Sequence, residues 1–230
     1  MKNTFVQIFI LKFENEISAH EIPLFRGAIL NLLGQNGGIL YHNHVDETSF
    51  RYSYPLIQYK RIHRKAAIFC IGEGVESIGQ LLASQDLTLI LGDRPIKLAI
   101  EAIHPKRYLI QTWDSTFHYR VRNWLPFNSD NYQRYKDLED FTSKIIFLEK
   151  ILIGNLLSFA KGLDIYIEKE VICKLLSLKE PHLVSAKGVK MMAFDVEFKS
   201  NLSLPNYMGI GKHVSFGFGT VVRVNNENKQ

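Results

Sequence analysis

The order of strand-like and helix-like segments in the first half of the chain most restricts the folds it can adopt. Runs of apolar and β-branched residues predict strands, and apolar residues at helical spacing predict helices. The segments follow the order strand, helix, strand, strand, helix, strand, which is the order of a ferredoxin-like unit. The predicted strands are residues 5–13, 50–61, 65–71 and 87–91 with 96–103 running on towards 111, and the predicted helices are 18–35 and 75–83.

The second half repeats this order in a weaker form. A strand at residues 116–124 and a polar stretch at 128–136 precede a long helix at 138–161, and strands follow at 165–176, 189–202 and 218–224. No second helix is evident between residues 176 and 211, where extended hairpin takes its place. The sequence therefore predicts an α+β protein of two tandem ferredoxin-like (RRM-like) units, residues 1–112 and 113–230, the second of them degenerate.

A glycine-rich stretch at residues 207–219, just before the last predicted strand, is the most distinctive motif. Glycine lets backbone N–H groups approach a ligand closely, and successive amides beside a lysine can bind an anion. The stretch therefore suits a phosphate cradle, although a glycine-rich hairpin has the same composition. It is neither a Walker loop nor a dinucleotide fingerprint, because a strand and not a helix follows it. The candidate anion-binding residues are Gly209, Gly211, Lys212, His213, Ser215, Gly217 and Gly219.

The pattern G-x-G-K-x-x-S-x-G-x-G, followed by a valine-rich strand near the C-terminus, resembles the signature loop of the CRISPR repeat-processing endoribonucleases. These enzymes belong to the RAMP superfamily of RNA-binding proteins. The resemblance implies two tandem ferredoxin-like units, with the loop before the last strand. It also implies that the partner is RNA, a CRISPR repeat precursor transcript. Further subunits of a CRISPR effector complex stay open as partners, as does the choice between monomer and homodimer.

Two histidines separated by one residue, His42 and His44, follow the first predicted helix. Three interpretations stay open for this pair: solvent-exposed loop residues, two ligands of a metal site near Asp46 and Glu47, or acid–base catalysts. Histidine suits catalysis because it gains and loses a proton near neutral pH. One branch of the endoribonuclease family uses a histidine pair with this spacing, so the resemblance favours the catalytic interpretation.

The reaction that the resemblance implies needs no cofactor and no metal ion. One histidine takes the proton of the RNA 2′-OH, and the other protonates the departing 5′-oxygen. The products are guide RNAs with 2′,3′-cyclic phosphate and 5′-OH ends. A cation stabilises the charge on the phosphorane, and we predict Lys60, Arg64 and Lys212 as RNA contacts. The alternative is a non-catalytic subunit that holds guide RNA within a larger ribonucleoprotein.

Charge and aromatic content agree with RNA binding. The formal net charge is +5, and residues 48–72 contain five basic residues and no acidic one. Between residues 104 and 127, basic residues alternate with aromatic ones, a mixture suited to phosphate contacts and base stacking. An ordinary strand with arginines on its solvent face shows the same pattern. The N-terminus lacks the pattern of a signal peptide and no segment is apolar enough to cross a membrane, so we expect a cytoplasmic protein.

Overall fold

The structure is a computed structural model of the 230-residue chain and describes residues 5–34, 54–84 and 86–224. The chain divides into two compact units. The first contains the residues up to Tyr108 together with Ser215–Gly217, and the second contains the residues from Leu109 onwards except for that short segment. Each unit combines helices with a sheet of antiparallel pairs, so the prediction of an α+β protein with two ferredoxin-like units is confirmed.

The first unit follows the predicted order of elements. These are β1 (Phe5–Glu16), α1 (Ile22–Leu33), β2 (Ile57–Ile62), β3 (Lys65–Ile71), α2 (Gly74–Leu82), a hairpin of β4 (Thr88–Leu91) and β5 (Arg94–Lys97), and β6 (Ile100–Leu109). The sheet has the order β2-β3-β1-β6, so the first and third strands of the βαββαβ unit lie in its centre. The segment predicted as one strand from residue 96 is divided between β5 and β6.

A hydrogen-bonded cap holds the 3₁₀ turn Ala19–Glu21 that leads into helix α1, and an aromatic cluster holds the helix along its length. The Glu21 carboxylate accepts bonds from the backbone N–H of Ser18 at 2.7 Å and from its hydroxyl at 2.6 Å. These bonds lower the pKa of Glu21 to about 2. Further along, Phe25 packs edge-to-face against Phe13 of β1 and Tyr59 of β2, with ring centroids 5.9 and 5.8 Å apart. The helix therefore fixes the position of β2.

As predicted, the second unit has no α-helix between residues 176 and 211. Its elements are β7 (Thr112–Trp124), α3 (Ser129–Asp137), α4 (Phe141–Gly162), β8 (Cys173–Leu178), β9 (His182–Ala186), β10 (Val189–Leu202) and β11 (Thr220–Arg223). The sheet order is β11-β7-β10-β8, and β9 pairs with β10. The segment between β10 and β11 contains a short 3₁₀ turn, Val214–Phe216, and no α-helix.

The structure differs from the sequence prediction at two places in this unit. The polar residues 128–136, predicted to precede the helix, are largely helical, because the Asn128 side chain caps α3 by accepting the Asn131 N–H at 2.7 Å. Residues 165–172, predicted as strand, are irregular, and β8 begins at Cys173. The extended hairpin predicted between residues 176 and 211 is formed by β9 and the start of β10.

A buried tyrosine hydroxyl ties the end of β10 to β7. The Tyr119 side chain is fully buried, and its hydroxyl donates to the Leu202 carbonyl at 3.1 Å. The same oxygen accepts the Leu204 N–H at 2.9 Å. The two bonds fix the chain where it leaves β10 and turns towards the glycine-rich stretch.

We predict that Tyr119→Phe lowers the free energy of unfolding by about 1–3 kcal/mol, because two buried backbone groups each lose a partner. Urea unfolding followed by circular dichroism measures this change. The control is Tyr166→Phe, at a side chain that is 85% exposed, where we expect a change below about 0.5 kcal/mol. Equal stability of the parent and Tyr119→Phe would contradict the role of the hydroxyl.

Candidate functional site

Backbone hydrogen bonds hold the glycine-rich stretch in place. The Ile210 N–H donates to the Gly219 carbonyl at 2.9 Å, and the Gly219 N–H donates to the Asn123 carbonyl at 3.0 Å. The Lys212 N–H donates to the Leu125 carbonyl at 2.9 Å. These three amides are therefore engaged within the protein.

Three of the glycines are required by local geometry. Gly211, Gly217 and Gly219 have φ values of +84°, +86° and +61°, a region that residues with a Cβ rarely adopt. A Cβ on Gly211 would lie 2.7 Å from the Leu125 carbonyl oxygen, and one on Gly219 would overlap the Ile210 carbonyl. The fourth, Gly209, forms an isolated bridge with Thr220. The glycines therefore shape the loop and let β11 enter the sheet.

Ser215–Gly217, at the centre of the motif, packs as part of the first unit. A Cβ on Gly217 would lie 2.8 Å from Cδ1 of Ile22 and 3.3 Å from the backbone oxygen of Tyr59. The guanidinium of Arg26 lies 5.0 Å from the centroid of the Phe216 ring, in a cation–π contact. This segment thus lies against the start of α1 and against β2, the strand that contains Lys60.

Lys60 and Arg64, both predicted to contact RNA, have very different environments. Lys60 is only 1% exposed, and burial lowers its pKa to about 7. At neutral pH such a side chain is shared between its charged and neutral forms. Arg64 lies on the surface, and its Nε bonds to the Glu16 carboxylate at 3.1 Å. Exposed ion pairs of this kind contribute little stability and exchange readily for another anion.

Lys212 and His213 form a basic cluster with a third residue, Lys187, in the second unit. Burial lowers the pKa of His213, and the positive charges of Lys187 and then Lys212 lower it further. The His213 ring lies edge-to-face against Phe218, with centroids 6.4 Å apart. The imidazole is thus held near two ammonium groups, an arrangement that attracts a phosphate and favours the neutral form of the ring.

Sequence reasoning missed Lys187. It lies in the tight turn between β9 and β10, where Lys187 and Gly188 have φ values of +51° and +78°. Gly188, which lies between two apolar segments, is a turn signal that could have revealed this turn. Its approach to His213 depends on the length and direction of the hairpin, which sequence alone does not contain.

The predicted catalytic pair, His42 and His44, lies outside the described residues, as do Asp46 and Glu47. Within the residues that the structure describes, no group of three or more His, Cys, Asp or Glu side chains is arranged to hold a metal ion. None of the described helices is long and apolar enough to cross a membrane.

Two family models together match almost the whole chain. The family model of the Cas6b N-terminal domain matches residues 4–108, and that of the Cas6b C-terminal domain matches residues 111–224. The uncharacterized protein MJ0978 of Methanocaldococcus jannaschii is 46% identical over 104 residues, which are 45% of this chain and 69% of that protein.

Two solved structures are similar over nearly their full lengths. A crystal structure of Cas6b covers 96% of this chain and 100% of its own, with 30% identity and a TM-score of 0.87. A crystal structure of the CRISPR RNA processing endoribonuclease Cas6b covers the same shares, with 27% identity and a TM-score of 0.73.

We predict that Gly219→Ala lowers the free energy of unfolding by more than about 2 kcal/mol, because the new methyl group combines a strained backbone with an overlap on the Ile210 carbonyl. The control is Gly154→Ala within α4, where a Cβ meets nothing within 4 Å. That change should leave stability unaltered or raise it by up to about 1 kcal/mol. Thermal unfolding of the three proteins makes the comparison, and equal losses from both substitutions would contradict the assigned role of Gly219.

We also predict that Lys60→Met removes a pH dependence of stability. The pKa of Lys60 is about 7 in the folded protein and 10.5 as its ordinary value. Between pH 7 and pH 10.5 the lysine binds its proton more strongly in the unfolded chain than in the folded one. Its contribution therefore raises the free energy of unfolding of the parent as pH rises. Lys60→Met should therefore exceed the parent in stability most at pH 6, and this advantage should shrink by pH 10. A stability difference that stays constant from pH 6 to pH 10, measured by urea unfolding, would contradict this assignment.

Proposed function

Since the chain belongs to the Cas6b family, we propose that it is an endoribonuclease that cuts CRISPR repeat precursor RNA into guide RNAs without a metal ion. The 2′-OH beside the scissile phosphate attacks the phosphorus, and the bond to the 5′-oxygen breaks. The products carry a 2′,3′-cyclic phosphate and a 5′-OH. Support comes from family models that match both halves of the chain, and from a similar solved structure that is named a CRISPR RNA processing endoribonuclease.

The basic cluster at the signature loop is the observation on which this proposal depends most. Lys187 and Lys212 lie close enough to His213 to lower its pKa, and the loop is held by hydrogen bonds around glycines that admit no side chain. Lys212 of this loop and Lys187 of the β9–β10 turn both lie near His213, and this concentration of positive charge favours a phosphate of the RNA backbone. The cluster thus serves to position RNA.

The acid–base chemistry is assigned to the histidine pair. One of His42 and His44 accepts the proton of the 2′-OH, and the other donates a proton to the leaving 5′-oxygen. The support for this step is the spacing of the two histidines in the sequence and its likeness to one branch of the family. RNA supplies its own nucleophile, so no cofactor has a part in the step.

The remaining predicted contacts take supporting roles. Arg64 is exposed and exchanges its bond with Glu16 for an RNA phosphate. Lys60 is buried in β2, so its contact with phosphate requires RNA to displace part of what covers it. Ser215 offers a hydroxyl in the segment that packs with β2. The four glycines of the loop contribute its shape.

We predict that His42→Ala and His44→Ala each reduce cleavage of a labelled CRISPR repeat RNA from the source genome by on the order of 10²-fold or more. RNA affinity should stay close to that of the parent, because the substitutions remove proton transfer and leave the basic cluster intact. The control is His104→Ala, an exposed histidine on β6, which should cleave at the parental rate.

Two results would contradict this assignment. Cleavage at the parental rate by both histidine variants would remove the pair from the mechanism. Tight binding of repeat RNA by the parent without any cleavage would instead favour the non-catalytic subunit that holds guide RNA.

A further inference from the structure

An aromatic and basic cluster on the surface of the second unit has no role in the function proposed so far. The guanidinium of Arg223 lies 4.5 Å from the centroid of the Phe117 ring, and the Trp113 ring meets Phe117 edge-to-face with centroids 6.2 Å apart. Trp113 is 40% exposed, and Arg223 is also exposed. We call Trp113, Phe117 and Arg223 the stacking cluster.

The fold presents this cluster through a bulge in β7. Ser200 and Leu202 of β10 pair with Phe117 and Thr112, so residues 113–116 of β7 stand opposite the single residue Asn201. The extra residues bend the strand away from the regular ladder and bring Trp113 to the surface. Such bulges redirect side chains and are common beside functional sites.

Both the backbone and the side chain of Arg223 are held in place. It is the last residue of β11, and its backbone N–H donates to the Asn206 side chain at 2.7 Å. The cation–π contact with Phe117 then holds its side chain in place. Within the residues that the structure describes, the Arg223 guanidinium makes no ion pair or hydrogen bond, so its N–H donors remain available to an anion.

The charges and the size of the cluster indicate the kind of ligand. Asp114, next to Trp113 in the sequence, is paired with Lys169 at 2.9 Å, and no acid of the described residues forms an ion pair with Arg223. The residues that follow Trp113, namely 114–116, are polar and exposed, so Trp113 is the one exposed aromatic ring of this part of β7. One exposed indole beside polar residues matches one nucleic-acid base.

We propose that the stacking cluster binds one unpaired nucleotide of the RNA substrate, with its base stacked on Trp113 and a neighbouring phosphate bound by Arg223. This inference rests on the proposed function, because it assumes that the protein binds RNA. Aromatic rings and arginine planes are the usual supports for splayed bases in single-stranded RNA. The cluster contributes to affinity and to the path of the RNA, and it takes no part in proton transfer.

The protein contains an internal reporter for this contact. Its only tryptophans are Trp113 and Trp124, and Trp124 is fully buried with its indole N–H bonded to Asn155 at 2.8 Å. Stacking of a base on Trp113 should therefore quench the tryptophan emission of the parent. The probe is a single-stranded repeat RNA with a 2′-deoxyribose at the cut site, so that it binds without being cut. Trp113→Phe should bind this RNA with no comparable quenching, and unchanged emission of the RNA-bound parent would overturn the proposal.

Affinity measurements separate the base contact from the phosphate contact. Trp113→Ala and Arg223→Met should each weaken binding of the same RNA by roughly ten-fold. Arg223→Met should also reduce the slope of log K against log salt by about 0.7, whereas Trp113→Ala should leave the slope unchanged. The control is Phe141→Ala, at a phenylalanine that is 68% exposed at the start of α4, and it should bind as the parent does.

The outcomes of these experiments distinguish a failure of the stacking-cluster proposal from a failure of the proposed function. If the parent binds and cleaves repeat RNA while Trp113→Ala and Arg223→Met match its affinity, the stacking cluster is wrong and the proposed function stands. If the parent neither binds nor cleaves repeat RNA, both proposals are wrong. If Trp113→Ala changes self-association in gel filtration and leaves RNA affinity unaltered, the surface is a protein contact and the nucleotide site is overturned. Circular dichroism of each variant verifies that it is folded.

Discussion

The close approach of Gly219 to the backbone of Ile210 is the contact on which the functional part of the chain depends. The two residues are linked by a hydrogen bond from the Ile210 N–H to the Gly219 carbonyl, and no side chain fits between them. This contact closes the glycine-rich loop and directs the chain into β11. With β11 paired to β7, the loop side chains Lys212 and His213 are fixed, and Arg223 is brought to Phe117. A change in one backbone contact would thus disturb both proposed RNA contacts of the second unit.

The amides of Ile210, Lys212 and Gly219 bond within the protein, and the proposed role of this loop is assigned to the side chains of Lys212 and His213. Two ammonium groups near His213 lower its pKa and make the same region attractive to phosphate. At Lys60 the cause is different, because burial alone lowers the pKa. The two lysines near His213 attract an anion directly. Lys60 is buried in β2 and is shared between its charged and neutral forms at neutral pH. The cost in stability of burying Lys60 is consistent with a residue kept for function.

Much of the fold and the family could be predicted because the signals are local. Apolar periodicity predicted the element order of the first unit, and the spacing of the glycines predicted the family. Features set by single hydrogen bonds or by distant contacts were beyond this reasoning. Helix α3 depends on the Asn128 cap, and the approach of Lys187 to His213 depends on a hairpin. The histidine pair is predicted from spacing and resemblance alone, because residues 35–53 lie outside the described part of the chain.

The central claim is that RNA supplies the nucleophile and that no metal ion takes part. The most direct measurement compares two repeat RNAs in excess chelator: one all-ribose, and one with a single 2′-deoxyribose at the cut site. The account predicts that the parent protein cuts the first RNA to a 2′,3′-cyclic phosphate and leaves the second intact. Cleavage of the deoxy-substituted RNA at the same position would contradict it, as would loss of all cleavage in chelator with recovery on adding a divalent cation.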